Sequence, residues 1–211
     1  MNGQTPIVSI IGMPGSGKST LTQAIAEMHG WDRLSTGDII REEIARGTAL
    51  GLRLRDRIHA GELADTDDIR AIVEIGIASS DRPVVFDGFP RYAEEAEFIH
   101  DIAADHGRFV AGAVYLVTSP ETALRRIAGR MGSSTIVRPE DRSDVARHRI
   151  EIFEANIEPI AKVFSGRSTL TVVANQPPEE IIRQGFLALG MVSLEPWLVD
   201  ESGYQMTGMR P

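Results

Sequence analysis

The sequence predicts an α/β fold: a parallel five-stranded sheet with helices on both faces. Three observations carry that expectation. Apolar runs rich in valine and isoleucine alternate with longer segments of helical period along most of the 211 residues. The first of these runs leads directly into a glycine-rich loop and then a helix. The composition, 42% hydrophobic and 25% charged, is that of a soluble globular chain able to bury a sizeable core.

Each element has its own signal. Ile7 to Ile11 reads as a buried strand, followed by helical Leu21 to Met28. Asp32 to Thr36 is a short, weak strand candidate, whereas Pro83 to Asp87 is stronger and ends in a carboxylate. Phe109 to Val117 and Thr169 to Ala174 complete the sheet. Helical patterns separate them at Thr66 to Ser79, Ala93 to Ala104, Pro120 to Arg130, Arg142 to Phe164 and Pro178 to Leu189. Pro120 and Pro178 fall where a first helical turn tolerates proline. In a parallel sheet, ligands bind beyond the C-terminal strand ends, where the segments after Ile11, Thr36 and Asp87 converge.

Two regions interrupt the alternation. Residues 38–65 carry helical period (Ile39, Ile40, Ile44, Leu50, Leu52, Leu54, Ile58) without a strand and read as a small inserted helical unit. Residues 131–137, flanked by Arg130 and Arg138, form a short segment bearing glycine and serine, a candidate lid. The expected organisation is a single domain over 1–190, with its core at 1–37 and 66–190, and an irregular tail over 191–211.

The loop Gly12-Met13-Pro14-Gly15-Ser16-Gly17-Lys18-Ser19-Thr20 fits G-x-x-x-x-G-K-[ST] at every fixed position. Between a strand and a helix, that pattern is a P-loop, so the fold is expected to be of the P-loop NTPase type. Glycines let successive backbone N–H groups point at one anion. The helix N-terminus adds partial positive charge, Lys18 a full one, and the Ser19 hydroxyl a position for Mg²⁺. The chain is therefore expected to bind a nucleoside triphosphate.

Composition excludes several alternatives. With no cysteine there is no disulfide, thiolate nucleophile or cysteine zinc site. The five histidines lack metal spacing. A formal net charge of −8 disfavours a nucleic-acid partner. No apolar run is long enough for a bilayer, and the N-terminus lacks the features of a leader, so no membrane partner and a cytoplasmic location are expected.

A hydrolase needs only water, but a transferase needs a second anion site. Arg41 follows Ser35-Thr36-Gly37-Asp38, Arg91 follows Asp87-Gly88-Phe89-Pro90, and arginines crowd the segment around 126–149. A guanidinium fork suits phosphate oxygens. Together with Gly61-Glu62-Leu63 and Arg138-Pro139-Glu140-Asp141, these motifs occur in the order seen in nucleoside monophosphate kinases. Over about residues 6 to 190 the chain resembles the adenylate kinase family, of the short-lid type.

The resemblance implies reversible Mg-dependent transfer of the ATP γ-phosphoryl group to a nucleoside monophosphate, with AMP the leading acceptor. It implies that Pro14, Gly15, Ser16, Gly17, Lys18, Ser19 and Thr20 hold ATP. Arg126 stacks on the donor adenine, and Gln176 and Pro177 border it. Ser19 and Asp87 face Mg²⁺, largely through water. Thr36, Arg41, Leu63, Ala64, Gly88, Arg91 and Glu95 line the acceptor pocket. Arg130, Arg138 and Arg149 close on the transferring group, with Arg138 and Arg149 also reaching the acceptor, while Asp141 orients the lid. Nucleotides are the implied partners, zinc is excluded on ligand grounds, and a monomer is expected.

The match departs from the family at Glu95, where glutamine is usual. An ionised carboxylate only accepts hydrogen bonds, which suits guanine or cytosine donors better than adenine N1. This leaves GMP, CMP, UMP or dTMP as alternative acceptors, unless Glu95 is a solvated helix residue. Ala64-Asp65-Thr66 likewise replaces the more usual Val-Pro or Val-Ser, which loosens the base pocket. A kinase for a different small phosphate or hydroxyl acceptor is disfavoured by Asp-Gly-Phe-Pro-Arg. A regulatory protein without turnover is disfavoured by the intact Lys18, Asp87 and lid arginines.

Overall fold

The computed structural model describes residues 4–59, 64–133, 143–173 and 177–191. Five strands, β1 (Pro6–Ile11), β2 (Asp32–Leu34), β3 (Val84–Asp87), β4 (Phe109–Leu116) and β5 (Thr169–Val173), form one sheet in the order β2-β3-β1-β4-β5. Every pairing is parallel. The expected fold class is therefore the observed one. Strand β1 lies at the centre and is buried throughout, which its continuous apolar character requires of a strand covered on both faces.

Eight helices are described: α1 (Lys18–His29), α2 (Thr36–Arg46), α3 (Ala49–His59), α4 (Thr66–Ala78), α5 (Ala93–Asp105), α6 (Pro120–Ser133), α7 (Ser143–Arg167) and α8 (Pro178–Met191). One core cluster joins Ile7, Phe86 and Val84 to Ile72 and Val73 of α4, Ile99 of α5 and Phe164 of α7. The opposite cluster joins Val8, Ile10 and Val114 to Leu21 and Ile25 of α1 and Leu189 of α8. Alternate residues of β1 thus feed opposite faces of the sheet.

Some boundaries differ from the sequence reading. Helix α2 starts at Thr36, because the Ser35 hydroxyl accepts the Asp38 N–H and caps it; the strand before it ends two residues sooner than expected. The inserted unit is two helices, broken at Gly47, whose φ of 66° ends α2. Helix α6 runs to Ser133, three residues into the segment read as a lid. Helix α7 continues through Pro159, with Ile160 and Phe164 fully buried beyond it; packing overrides the local cost of proline.

Candidate active site

The chemistry-bearing residues gather where β2, β3 and β1 end side by side. The Gly88 N–H donates to the Ile10 carbonyl at 3.1 Å, which locks the segment after β3 against the C-terminal end of β1. Its φ is 72°, and a Cβ there would lie 3.2 Å from Cε of Lys18. Glycine is thus what lets the Lys18 stem pass over the end of β3.

The P-loop is held from behind. Met13 is buried against Ala123 of α6 and Ile150 of α7. Gly15 has φ 81°, and a Cβ would stand 2.6 Å from the Ala123 carbonyl oxygen, so the backbone can sit this close to α6 only without a side chain. Lys18 Nζ donates to the Met13 carbonyl at 2.8 Å, folding the side chain across the loop. The first turn of α1 contains no acidic residue, which leaves its positive end available to an anion. A cleft of about 220 Å³ opens there, lined by Gly15, Gly17, Lys18, Ser19, Thr20, Arg126, Ile127 and Ile181. Arg126 lies one helical turn beyond Ala123 and therefore belongs to the mouth of this loop.

The residues fit a hydrated Mg²⁺ on the chemistry of their donors. Ser19 is exposed at the loop mouth and Asp87 ends β3; both present the hard oxygen ligands this ion prefers. The buried hydroxyl of Ser16 has no hydrogen-bond partner among the described residues, as expected of a loop shaped around a ligand.

A second group of charges flanks the loop. Arg33, on β2, pairs with Asp87 through Nη2 and with Asp38 through Nη1 at 3.4 Å. Its Nε donates to the buried Thr22 hydroxyl at 3.1 Å, and that hydroxyl donates to the Ser19 carbonyl at 3.2 Å. Arg41 donates to the other oxygen of Asp38. Burial opposes the charge on Asp38, but Arg41, the Ser35 hydroxyl and Arg33 hold its carboxyl below the ordinary range. The sequence reading missed Arg33. Its signal was an arginine inside a strand too short and weak to orient.

Thr36 is buried at the start of α2, and Ala64 packs at the edge of the core. Arg91 is half-buried. Glu95 is only 3% exposed and accepts the Arg91 backbone N–H at 2.6 Å. It is thus not the solvated helix residue considered as the alternative. Burial pushes its carboxyl upward, while the Arg91 and Tyr92 N–H groups and the Arg91 guanidinium pull it back only partly. Arg149 is half-buried on α7, beside Ile150 of the cluster that backs the P-loop. Pro177 is exposed just before α8. Leu63, Arg138, Asp141 and Gln176 lie outside the described residues, as do the side chain of Arg130, most of the expected lid and almost all of the tail. Among the described residues, no cluster of three or more His, Asp or Glu could hold a metal, and no helix is long and apolar enough to cross a membrane.

Comparison with known proteins agrees with this geometry. The adenylate kinase family model matches residues 10–169. An adenylate kinase of Thermus thermophilus is 33% identical over 185 residues, spanning 87% of this chain and 97% of the relative. That of Deinococcus deserti is 31% identical over 176 residues, 81% of this chain and 89% of the relative. That of Thermococcus onnurineus is 31% identical over 182 residues, 74% and 81% respectively.

Proposed function

Because the chain belongs to the adenylate kinase family, we propose that it transfers the γ-phosphoryl group of ATP reversibly to AMP, giving two ADP. One observation carries the reading. The P-loop lysine, the carboxylate ending β3 and the arginines after β2 and β3 stand at three adjacent strand ends, so a donor and an acceptor phosphate can meet there.

The loop N–H groups and Lys18 hold the donor phosphates, with Arg126, Gln176 and Pro177 at the adenine. Thr36, Leu63, Ala64 and Gly88 border the acceptor nucleotide, and Arg41 and Arg91 take its phosphate. An acceptor phosphate is already ionised at neutral pH, so these side chains need not remove a proton. Their work is alignment and charge neutralisation. Magnesium, when bound, offsets charge on the phosphates, and Ser19 and Asp87 would hold its water shell. Arg130, Arg138 and Arg149 close on the transferring group, with Asp141 orienting the segment over 131–137. That closure excludes water, which otherwise competes as acceptor. Residues 38–65 act as the acceptor-binding insertion.

A different acceptor base is the second reading, favoured by the buried carboxyl of Glu95 beside Arg91. A coupled ADP-release assay with ATP against AMP, GMP, CMP, UMP and dTMP separates the two. AMP giving the highest kcat/KM supports the first reading, and a GMP or CMP maximum supports the second. ADP release independent of any monophosphate would refute both.

A further inference from the structure

Arg33 lies between the two halves of the site and has three polar contacts, none of which the sequence assigned to function. Its Nε is fixed to Thr22, in the first turns of α1. One end of its guanidinium pairs with Asp87, the other with Asp38 at 3.4 Å, and Asp38 is itself paired with Arg41. Four alternating charges thus run from the metal-facing carboxylate to the acceptor-facing arginine. The two ends differ in setting: the Asp87 side chain is 7% exposed, while those of Asp38 and Arg41 are 52% and 55% exposed. Arg33 and Asp38 also line a cleft of about 360 Å³ beside α4, which gives the guanidinium room to turn about its Thr22 anchor.

We propose that Arg33 is a positioning residue that holds Asp87 until an acceptor phosphate draws Arg41 from Asp38, and then shifts its weight onto Asp38. The inference rests on the kinase reading above. In its resting position Arg33 competes with a hydrated cation for the same carboxylate. A phosphate on Arg41 leaves Asp38 short of one positive partner, and the nearest guanidinium already in contact is Arg33. Asp87 is then freed toward the metal-bearing nucleotide. Acceptor and metal–nucleotide each strengthen the binding of the other, by an equal factor, as linkage requires.

Calorimetric titration of the intact chain with AMP-PNP tests this, with Mg²⁺ or with EDTA, in the presence and absence of AMP. The wild type should bind Mg·AMP-PNP about fivefold tighter when AMP is present, the lower end of coupling between sites, and metal-free AMP-PNP without that gain. Arg33→Gln should bind Mg·AMP-PNP tightly whether or not AMP is added, with the metal-free affinity unchanged. Asp38→Asn removes the receiving carboxylate and should leave Mg·AMP-PNP binding weak even with AMP. Arg33→Lys, which keeps the charge but lacks a fork, should lose most of the coupling and covers a folding failure of the glutamine variant. Equal weakening of both nucleotide forms in Arg33→Gln, or AMP coupling that survives in it, would overturn the relay. So would a wild type that binds both nucleotides without coupling. A wild type that binds neither nucleotide would instead overturn the kinase reading on which it rests.

Discussion

The loop after β1 and the helix after β2 both bring cationic groups to neighbouring strand ends, but they are secured in opposite ways. The loop is held by backbone and packing: Met13 and Ser16 are buried, Gly15 sits against the α6 carbonyl, and Lys18 is tied to the loop's own Met13 carbonyl. On the helix, the polar groups are held by ion pairs, with Asp38 and Arg41 more than half exposed. Such exposed pairs are worth about 0–1 kcal/mol each and exchange readily for another anion. On the proposed reading, the donor side is thus preformed, whereas the acceptor side can rearrange when a phosphate arrives. A two-substrate transferase gains from this, because the acceptor decides when the site is complete.

Substitutions on the two sides should therefore fail differently. Lys18→Ala should have the largest effect, lowering kcat by about 10²–10³-fold or more with the circular dichroism spectrum unchanged; near-normal turnover would remove the donor loop from the mechanism. Arg91→Ala comes next. Losing a charged partner of a phosphate costs about 2 kcal/mol or more, roughly 30-fold in acceptor kcat/KM, and steady-state kinetics should show ATP binding unchanged. Equal damage to ATP affinity would place Arg91 on the donor side. Gly15→Ala should destabilise the fold by about 1–3 kcal/mol in denaturant titration, since the methyl meets a backbone carbonyl at positive φ. It should weaken ATP binding and spare AMP binding.

Glu95→Gln should have the smallest effect and the most informative pH dependence. Burial raises the folded-state pKa of Glu95 above its ordinary value of 4.5. Its contribution to stability is therefore fully present below about that value and is lost as pH rises through the higher folded pKa. The glutamine variant lacks this loss but can still accept the Arg91 N–H. Its stability relative to wild type should rise across that window, as read by thermal unfolding at stepped pH. If Glu95 also reads the base, acceptor kcat/KM should move toward AMP relative to GMP and CMP. A flat stability difference would contradict the burial argument.

Much of this was legible in the sequence. The P-loop, the five strands and Asp87-Gly88-Phe89-Pro90-Arg91 are local signals, in which a few neighbouring residues fix both conformation and chemistry. Arg33 was not legible, because its role comes from Thr22, Asp38 and Asp87, which the β2–β3 pairing, the packing of α1 on those strands and the start of α2 bring around it together. Glu95 was half-legible. Its chemistry departs visibly from the usual glutamine, but its burial and its bond to the Arg91 backbone depend on how α5 packs onto the sheet. The end of α6 was misjudged because glycine and serine at 132–133 read locally as loop, while the helix continues through them.

The most direct test of the central claim follows the phosphoryl group itself. With [γ-³²P]ATP, Mg²⁺ and AMP, the label should appear in ADP as its β-phosphate, at a rate abolished by Lys18→Ala. Label recovered as inorganic phosphate at the same rate with or without AMP would make the chain a hydrolase and contradict the account.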